Sequence, residues 1–192
     1  MSSGRTGGPG EAKIDRERAV LVVIDVQEAF RPVIPNFAQI ARASATLLRA
    51  AKEVGIPVIV TEQYPKGLGA TVVEVADQLP DGVEPLTKTA FSVAEADGFD
   101  LQGRDQAIVC GIETHVCVSQ SVLDLLEQDV QVHLVVDGVG SRAELDRELG
   151  LGKAERAGAW LTSVETAIFE LVRRAGSDEF KSLQKLVMEY TP

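Results

Sequence analysis

The strongest constraint on the fold is an unbroken apolar run, Ala19-Val20-Leu21-Val22-Val23-Ile24, closed by Asp25. A strand without polar alternation has no face to offer water. It belongs in a parallel sheet covered on both sides. Further strand-like runs lie at residues 57–62, 86–88, 107–112, 130–136 and 160–162, with Asp137-Gly138 ending the fifth. Helical patterns fall between and after them, over 36–54, 72–78, 115–128, 142–157, 164–174 and 178–188. Asn36 fits an N-cap and Gly55 a left-handed stop for the first of these. Strands alternating with helices at this spacing form βαβ units. The expected class is α/β: a single-domain, Rossmann-like three-layer sandwich. It holds about six strands, mostly parallel, with helices on both faces.

A chain of 192 residues is long enough for one full core. The Gly- and Ser-rich start leads us to expect a flexible tail over 1–15 and one domain over 16–192. A formal net charge of -10 argues against nucleic acid or an anionic membrane as partner. No apolar run approaches the ~18 residues of a membrane span. Two cysteines make no disulfide framework, so a reducing, cytoplasmic setting is expected.

In open α/β sheets, sites lie outside the carboxyl ends of the strands. Asp25, Lys88 and Cys117 are placed there. The stretch Cys110-Gly111-Ile112-Glu113-Thr114-His115-Val116-Cys117-Val118 reads as strand, sharp turn and helix. It sets Cys117 in a first helical turn, where free N–H groups and the dipole lower a thiol pKa. Cys117 is therefore a candidate nucleophile, the alternative being an inert buried thiol. Asp25 is a turn or capping residue, or a general base, since unpaired buried charge is costly. Lys88 is a surface lysine or, beside a carboxylate and a thiol, the charge that holds the pair ionised. Together they support acyl transfer. Asp25 takes the thiol proton, the sulfur attacks a carbonyl, and Asp25 then protonates the leaving amine and later activates water. Cys110, mid-strand among apolar neighbours, reads as structural.

Three motifs in this order resemble the isochorismatase-like cysteine hydrolase superfamily, which includes nicotinamidases and N-carbamoylsarcosine amidases. Asp25-Val26-Gln27-Glu28-Ala29-Phe30 is similar to its Asp-x-Gln-x-x-Phe motif. Lys88-Thr89-Ala90-Phe91-Ser92 is similar to its lysine motif, and the segment 111–118 to its nucleophile turn. The resemblance runs from about residue 18 to the C-terminus. It implies a catalytic triad of Asp25, Lys88 and Cys117. It also implies a cis peptide between Ile112 and Glu113, and an oxyanion hole from the N–H groups of Glu113 and Cys117. Gln27, Phe30, Tyr64 and Phe91 are expected to line the substrate pocket, with Gln27 alternatively orienting the triad. Relatives form dimers or larger assemblies, so a homo-oligomer is expected.

Thr61-Glu62-Gln63-Tyr64-Pro65-Lys66-Gly67-Leu68-Gly69 resembles the isochorismatase-domain-containing subgroup, whose members largely lack an assigned substrate. Metal-dependent nicotinamidases carry histidines after the second strand, where this chain reads Glu62-Gln63-Tyr64. The only histidines, His115 and His133, lack ligand spacing. His115 is expected to be solvated and His133 to be satisfied within its strand. No metal and no cofactor is expected. The implied activity is hydrolysis of a small-molecule amide. The alternatives are an isochorismatase-type vinyl-ether hydrolase, which works without the cysteine, and a non-catalytic interaction protein on the same scaffold.

Overall fold

A computed structural model describes residues 12–190. Six strands form one sheet: β1 (Ala19–Ile24), β2 (Val58–Gln63), β3 (Leu86–Lys88), β4 (Gln106–Ile112), β5 (Gln131–Gly140) and β6 (Trp160–Thr162). Their order is β3-β2-β1-β4-β5-β6, and every pair is parallel. The helices are α1 (Phe37–Val54), α2 (Pro65–Leu68), α3 (Val73–Ala76), α4 (Ser119–Glu127), α5 (Glu144–Ala157), α6 (Val164–Val172) and α7 (Asp178–Glu189).

All six residues of β1 are buried because alternate side chains enter different cores. Ala19, Leu21 and Val23 pack with residues of α1, α6 and α7. Val20, Val22 and Ile24 pack with residues of α4 and α5 on the opposite face. Pleating with period two divides one apolar strand between the two layers. α1 presents Phe37, Ile40, Ala41, Ser44, Leu47, Leu48, Ala51 and Val54 to the first core, a stripe of helical period. It stops at Gly55, whose left-handed backbone (φ 71°) lets its N–H bond Ala51 O.

Four expectations are corrected. Part of the expected tail packs on the domain: Ile14 is fully buried and its N–H bonds Glu170 Oε2 at 3.0 Å. Residues 1–11 of the expected tail lie outside the described residues. Asn36 does not cap α1 with its side chain; its Nδ2 donates to Val139 O at 3.3 Å. β5 does not end at Asp137-Gly138 but continues to Gly140. Its register against β4 jumps from Val109↔Leu134 to Gly111↔Val139, so the extra residues bulge and the ladder resumes. Finally, the segment after β4 opens with a widened turn, Thr114–Val118, before α4 begins at Ser119.

His133 is buried in β5, where Gln131 Nε2 approaches its Nε2 at 2.9 Å. The ring nitrogen accepts that bond only while unprotonated. Burial, helped by the charge of Arg18, pushes the imidazole down to about 4. The unfolded chain therefore binds the extra proton first, and stability falls as pH drops from about 6.5 to about 4. His133→Asn should flatten that part of a urea-midpoint profile, removing at most about 3 kcal/mol of pH dependence relative to the parent chain.

Candidate active site

The site lies at the carboxyl edge of the sheet, between β1 and β4, where chain order reverses direction. Asp25 immediately follows β1. Its backbone is left-handed (φ 54°), its N–H bonds Thr61 O at 3.1 Å, and its side chain is shut off from solvent. Oδ2 accepts from Lys88 Nζ at 2.7 Å, and Oδ1 accepts from Thr61 Oγ1 at 2.7 Å. Lys88, the last residue of β3, is equally buried. Its ammonium also donates to Gln63 Oε1 at 2.9 Å and to the carbonyl of Phe91 at 3.0 Å, with Ala90 O at 3.4 Å. The ion pair is thus dry, short and satisfied, the only condition under which buried charges hold together.

Cys117 completes the group from the β4 side. Its residue is only 6% exposed, and the charges of Asp25 and Lys88 both bear on the thiol. Burial, with the Asp25 carboxylate adding to it, pushes the thiol up to about 12; Lys88 opposes this without overcoming it. The lowered thiol expected of a first helical turn is therefore overturned. Cys117 lies in the widened turn ahead of α4, among buried neighbours, and desolvation of the thiolate outweighs any N-terminal dipole.

Close backbone contacts shape the turn that carries this thiol. Gly111 adopts φ 120°, and a Cβ there would lie 2.0 Å from Ile24 O. Gly150 lets α5 approach the turn, since a Cβ would lie 2.8 Å from Thr114 O. The Ile112–Glu113 peptide is cis. Glu113 O accepts from the N–H groups of Val116 and Val118, the latter an i to i+5 bond that widens the turn. The Glu113 carboxylate is buried and accepts from both the N–H and the Nε of Arg142, at 3.1 and 3.0 Å. Glu113 and Cys117, whose N–H groups were expected to form the oxyanion hole, both belong to this turn.

The expected pocket residues divide. A cleft of about 650 Å³ is lined by Tyr64, Lys88, Thr89, Ala90, Glu95 and Asp97, among others. Tyr64 is half exposed, and its ring rests on Gly67, where an added Cβ would lie 2.7 Å from two ring carbons. Phe91, half exposed, follows the cleft residue Ala90 without lining the cleft itself, and contributes its carbonyl to Lys88. Gln27 and Phe30 do not line the cleft. Gln27 is fully buried with both ends of its amide bonded to backbone, and Phe30 packs against the α1 core. His115 is not simply solvated: Nδ1 lies 3.0 Å from Ser141 Oγ and Nε2 lies 3.9 Å from Asp146 Oδ2. Cys110 is buried against Ser44, its thiol pushed up to about 12 by burial. Among the described residues no cluster of three or more His, Cys, Asp or Glu could hold a metal ion.

The sequence reading missed Thr61 and Gln63. They sit two residues apart on β2, hence on one face of the strand. Their signal was available, since two polar side chains at the carboxyl end of an otherwise apolar parallel strand need a polar reason.

A doubly wound parallel sheet with a buried Asp–Lys pair and a buried thiol at its switch point defines a small single-domain α/β protein. The chain belongs to the isochorismatase family: the family model described as Isochorismatase domain matches residues 19–166. It is 42% identical over 179 residues to isochorismatase domain-containing protein 2A of Mus musculus, covering 92% of this chain and 85% of the relative. It is 41% identical to the secreted isochorismatase effector Isc1 of Phytophthora sojae, covering 90% of this chain and 85% of that one. The solved structure of MAR1 ribonuclease from Caenorhabditis elegans superposes with a TM-score of 0.90 at 41% identity, covering 94% of each chain. No helix among the described residues is long and apolar enough to cross a membrane.

Two outcomes follow from the buried pair and the raised thiol. Lys88→Met strands the Asp25 carboxylate and should cost about 3–5 kcal/mol in denaturant unfolding, with Asp25→Asn in the same chain recovering part of the loss. Iodoacetamide labelling of Cys117, read site-specifically by mass spectrometry, should keep rising with pH beyond about 9, where an ordinary thiol is already levelling off. A plateau near neutral pH would contradict the raised thiol.

Proposed function

We propose that this protein is a cofactor-independent cysteine hydrolase that cleaves a small amide through a Cys117 acyl-enzyme. The observation that carries this reading is the dry Asp25–Lys88 pair set against a protonated Cys117 thiol. Burial pushes the thiol up to about 12, which supports a proton that leaves as the carbon–sulfur bond forms, and we assign Asp25 as the base that receives it. Sulfur attacks the carbonyl carbon. The oxyanion faces N–H groups of the nucleophile turn, for which Glu113 and Cys117 are the candidates. Asp25 returns the proton to the departing amine, leaving a thioester. Water then gives a proton to Asp25 and its oxygen to the acyl carbon, and the thiol is restored. Lys88 keeps Asp25 in place and balances its charge throughout.

The cleft beside Lys88 admits a small substrate, with the half-exposed ring of Tyr64 as its apolar wall. The ribonuclease activity in the name of the Caenorhabditis elegans protein is not extended to this chain. A formal charge of -10 repels a polyanion, and the Lys88 ammonium is buried in its pair with Asp25. We also infer a cytoplasmic homo-oligomer. Two unpaired cysteines support the reducing compartment, and Leu145 and Leu149, exposed one turn apart on α5, offer an apolar contact between copies.

The test is a screen of small primary and secondary amides against the parent chain, Cys117→Ala and Asp25→Asn, with intact-mass detection of the acyl-enzyme. Both variants should lose more than about 10³-fold in kcat/KM on any accepted amide, and the thioester should form only when Cys117 is present. Hydrolysis that survives Cys117→Ala would instead assign the chemistry to Asp25 as an acid, as in vinyl-ether cleavage.

A further inference from the structure

Lys88 ends β3 and Asp25 follows β1, so β2 stands between them. The two backbones are separated by two strand spacings, about 9–10 Å. The lysine has to cross β2 to make its 2.7 Å contact, and what it crosses is Gln63, its partner in register. Gln63 Oε1 accepts from the ammonium at 2.9 Å while the other end of the same amide donates to Thr89 O at 2.9 Å. Flipping the amide would turn its NH₂ toward the ammonium and its oxygen toward a carbonyl, so its orientation is fixed. The backbone of Gln63 is held as firmly. Its N–H donates to Gln27 Oε1 at 2.8 Å, and Gln27 Nε2 donates to Gln63 O at 3.1 Å and to Gly69 O at 2.6 Å. Gln27 thus acts as a short substitute strand, tying β2 to the loop beyond it.

We infer that Gln63 is a positioning residue for the hydrolysis, its clamped amide oxygen aiming the Lys88 ammonium at Asp25 beside the Cys117 thiol. The inference rests on the hydrolase reading above. A lysine ammonium has three protons. Its three shortest acceptors are Asp25, Gln63 and the Phe91 carbonyl, of which only Gln63 is a neutral side chain. Without that acceptor the freed N–H turns to the Ala90 carbonyl, now a long 3.4 Å contact, on the side of the cleft that Lys88, Thr89 and Ala90 line. An ammonium drawn toward the cleft no longer holds the Asp25 carboxylate in its orientation, nor offsets the negative charge that passes to the sulfur and then the carbonyl oxygen as Asp25 takes the proton. The bond-making rate falls, while the substrate wall at Tyr64 stays where it is.

The test uses p-nitrophenyl acetate as the acyl probe on the full chain. The thiol attacks the ester carbonyl, its proton passes to Asp25, and p-nitrophenolate leaves as the Cys117 thioester forms. Gln63→Met keeps the shape and removes the acceptor. Gln63→Asn keeps the amide but stops a methylene short. Gln63→Glu keeps an oxygen at the ammonium. The Met and Asn variants should lower the maximal acylation rate about 10–100-fold, the range for a lost hydrogen bond to a charged group, with the half-saturating probe concentration moving less than about twofold. The Glu variant should recover most of that rate, which a purely structural role for the side chain would not produce. Met or Asn acylating at the parental rate, or Glu as slow as both, overturns the inference. Should the Met variant lack a cooperative thermal transition, Asn against Glu decides alone, on the same criterion. Cys117→Ala run in parallel separates the two claims. Release of p-nitrophenolate at the parental rate without Cys117 refutes the nucleophile, and the Gln63 comparison is then read on that release.

Discussion

The contact between Asp25 and Lys88 is the constraint around which the carboxyl edge of this protein is organised. Both side chains are essentially cut off from solvent. Burying each ion costs several kcal/mol even after relaxation. That cost is offset by a 2.7 Å contact and by bonds to every remaining face of the pair: Thr61 on the second carboxylate oxygen, Gln63 and the Phe91 carbonyl on the ammonium. Each partner then needs its own support. Gln63 requires Thr89 and Gln27, and Gln27 requires Gly69. One ion pair thereby accounts for the polar end of β2, the course of residues 89–91, and the attachment of the 64–69 loop. A buried network is worth its cost only when complete, and here the bonds close.

On the other side of the switch point the constraint is steric. The turn after β4 must bring a sulfur to the pair while its backbone runs hard against β1 and α5. Gly111 and Gly150 are the two positions where no side chain could be accommodated: one lies on the carbonyl of Ile24, the other on that of Thr114. The Glu113 carboxylate, held by Arg142 through two donors, anchors the same turn from outside. Burial in this turn pushes the Cys117 thiol up to about 12. A thiolate stored in a free protein meets oxidants and stray electrophiles. On the hydrolase reading we propose, a thiol that ionises only as it attacks stays inert until a carbonyl is in place, with Asp25 and not the helix terminus as the activating group.

The layered fold was legible from β1 and β4 because runs without polar alternation have one home, the middle of a parallel sheet. The candidate site was legible because Asp25 and Lys88 stand at strand ends and Cys117 in the turn that follows β4, at the carboxyl edge where such sheets bind ligands. What escaped reading was whatever depends on geometry between elements. Asn36 has the composition of an N-cap, yet its amide serves Val139 on β5, far along the chain. Asp137-Gly138 has the composition of a turn, but a bulged register carries β5 through it. Gln27 sits one residue beyond Val26, inside a motif tied to the site, and its neighbourhood suggested substrate. Only the pairing of β2 with the 69 loop shows that its amide is already spent on backbone. The thiol's ionisation went wrong for the same reason. A helix start argues for lowering it, whereas burial and an adjacent carboxylate, both tertiary facts, raise it.

The division of labour in the site explains why its chemistry is easier to read than its specificity. Asp25, Lys88 and the Thr61–Gln63 pair hang from strand ends that the whole sheet holds in register, so their positions are set by the fold. The cleft is built differently. Tyr64, Lys66, Glu95 and Asp97 come from connecting segments, are exposed, and bring charges of both signs to the same opening. A substitution there changes the shape and sign of the entrance without touching the ion pair. The same framework can therefore serve proteins whose names differ as widely as a secreted effector and a ribonuclease. In this chain the buried ion pair is assembled on strands, whereas the cleft beside it is built from connecting segments on either side of Lys88.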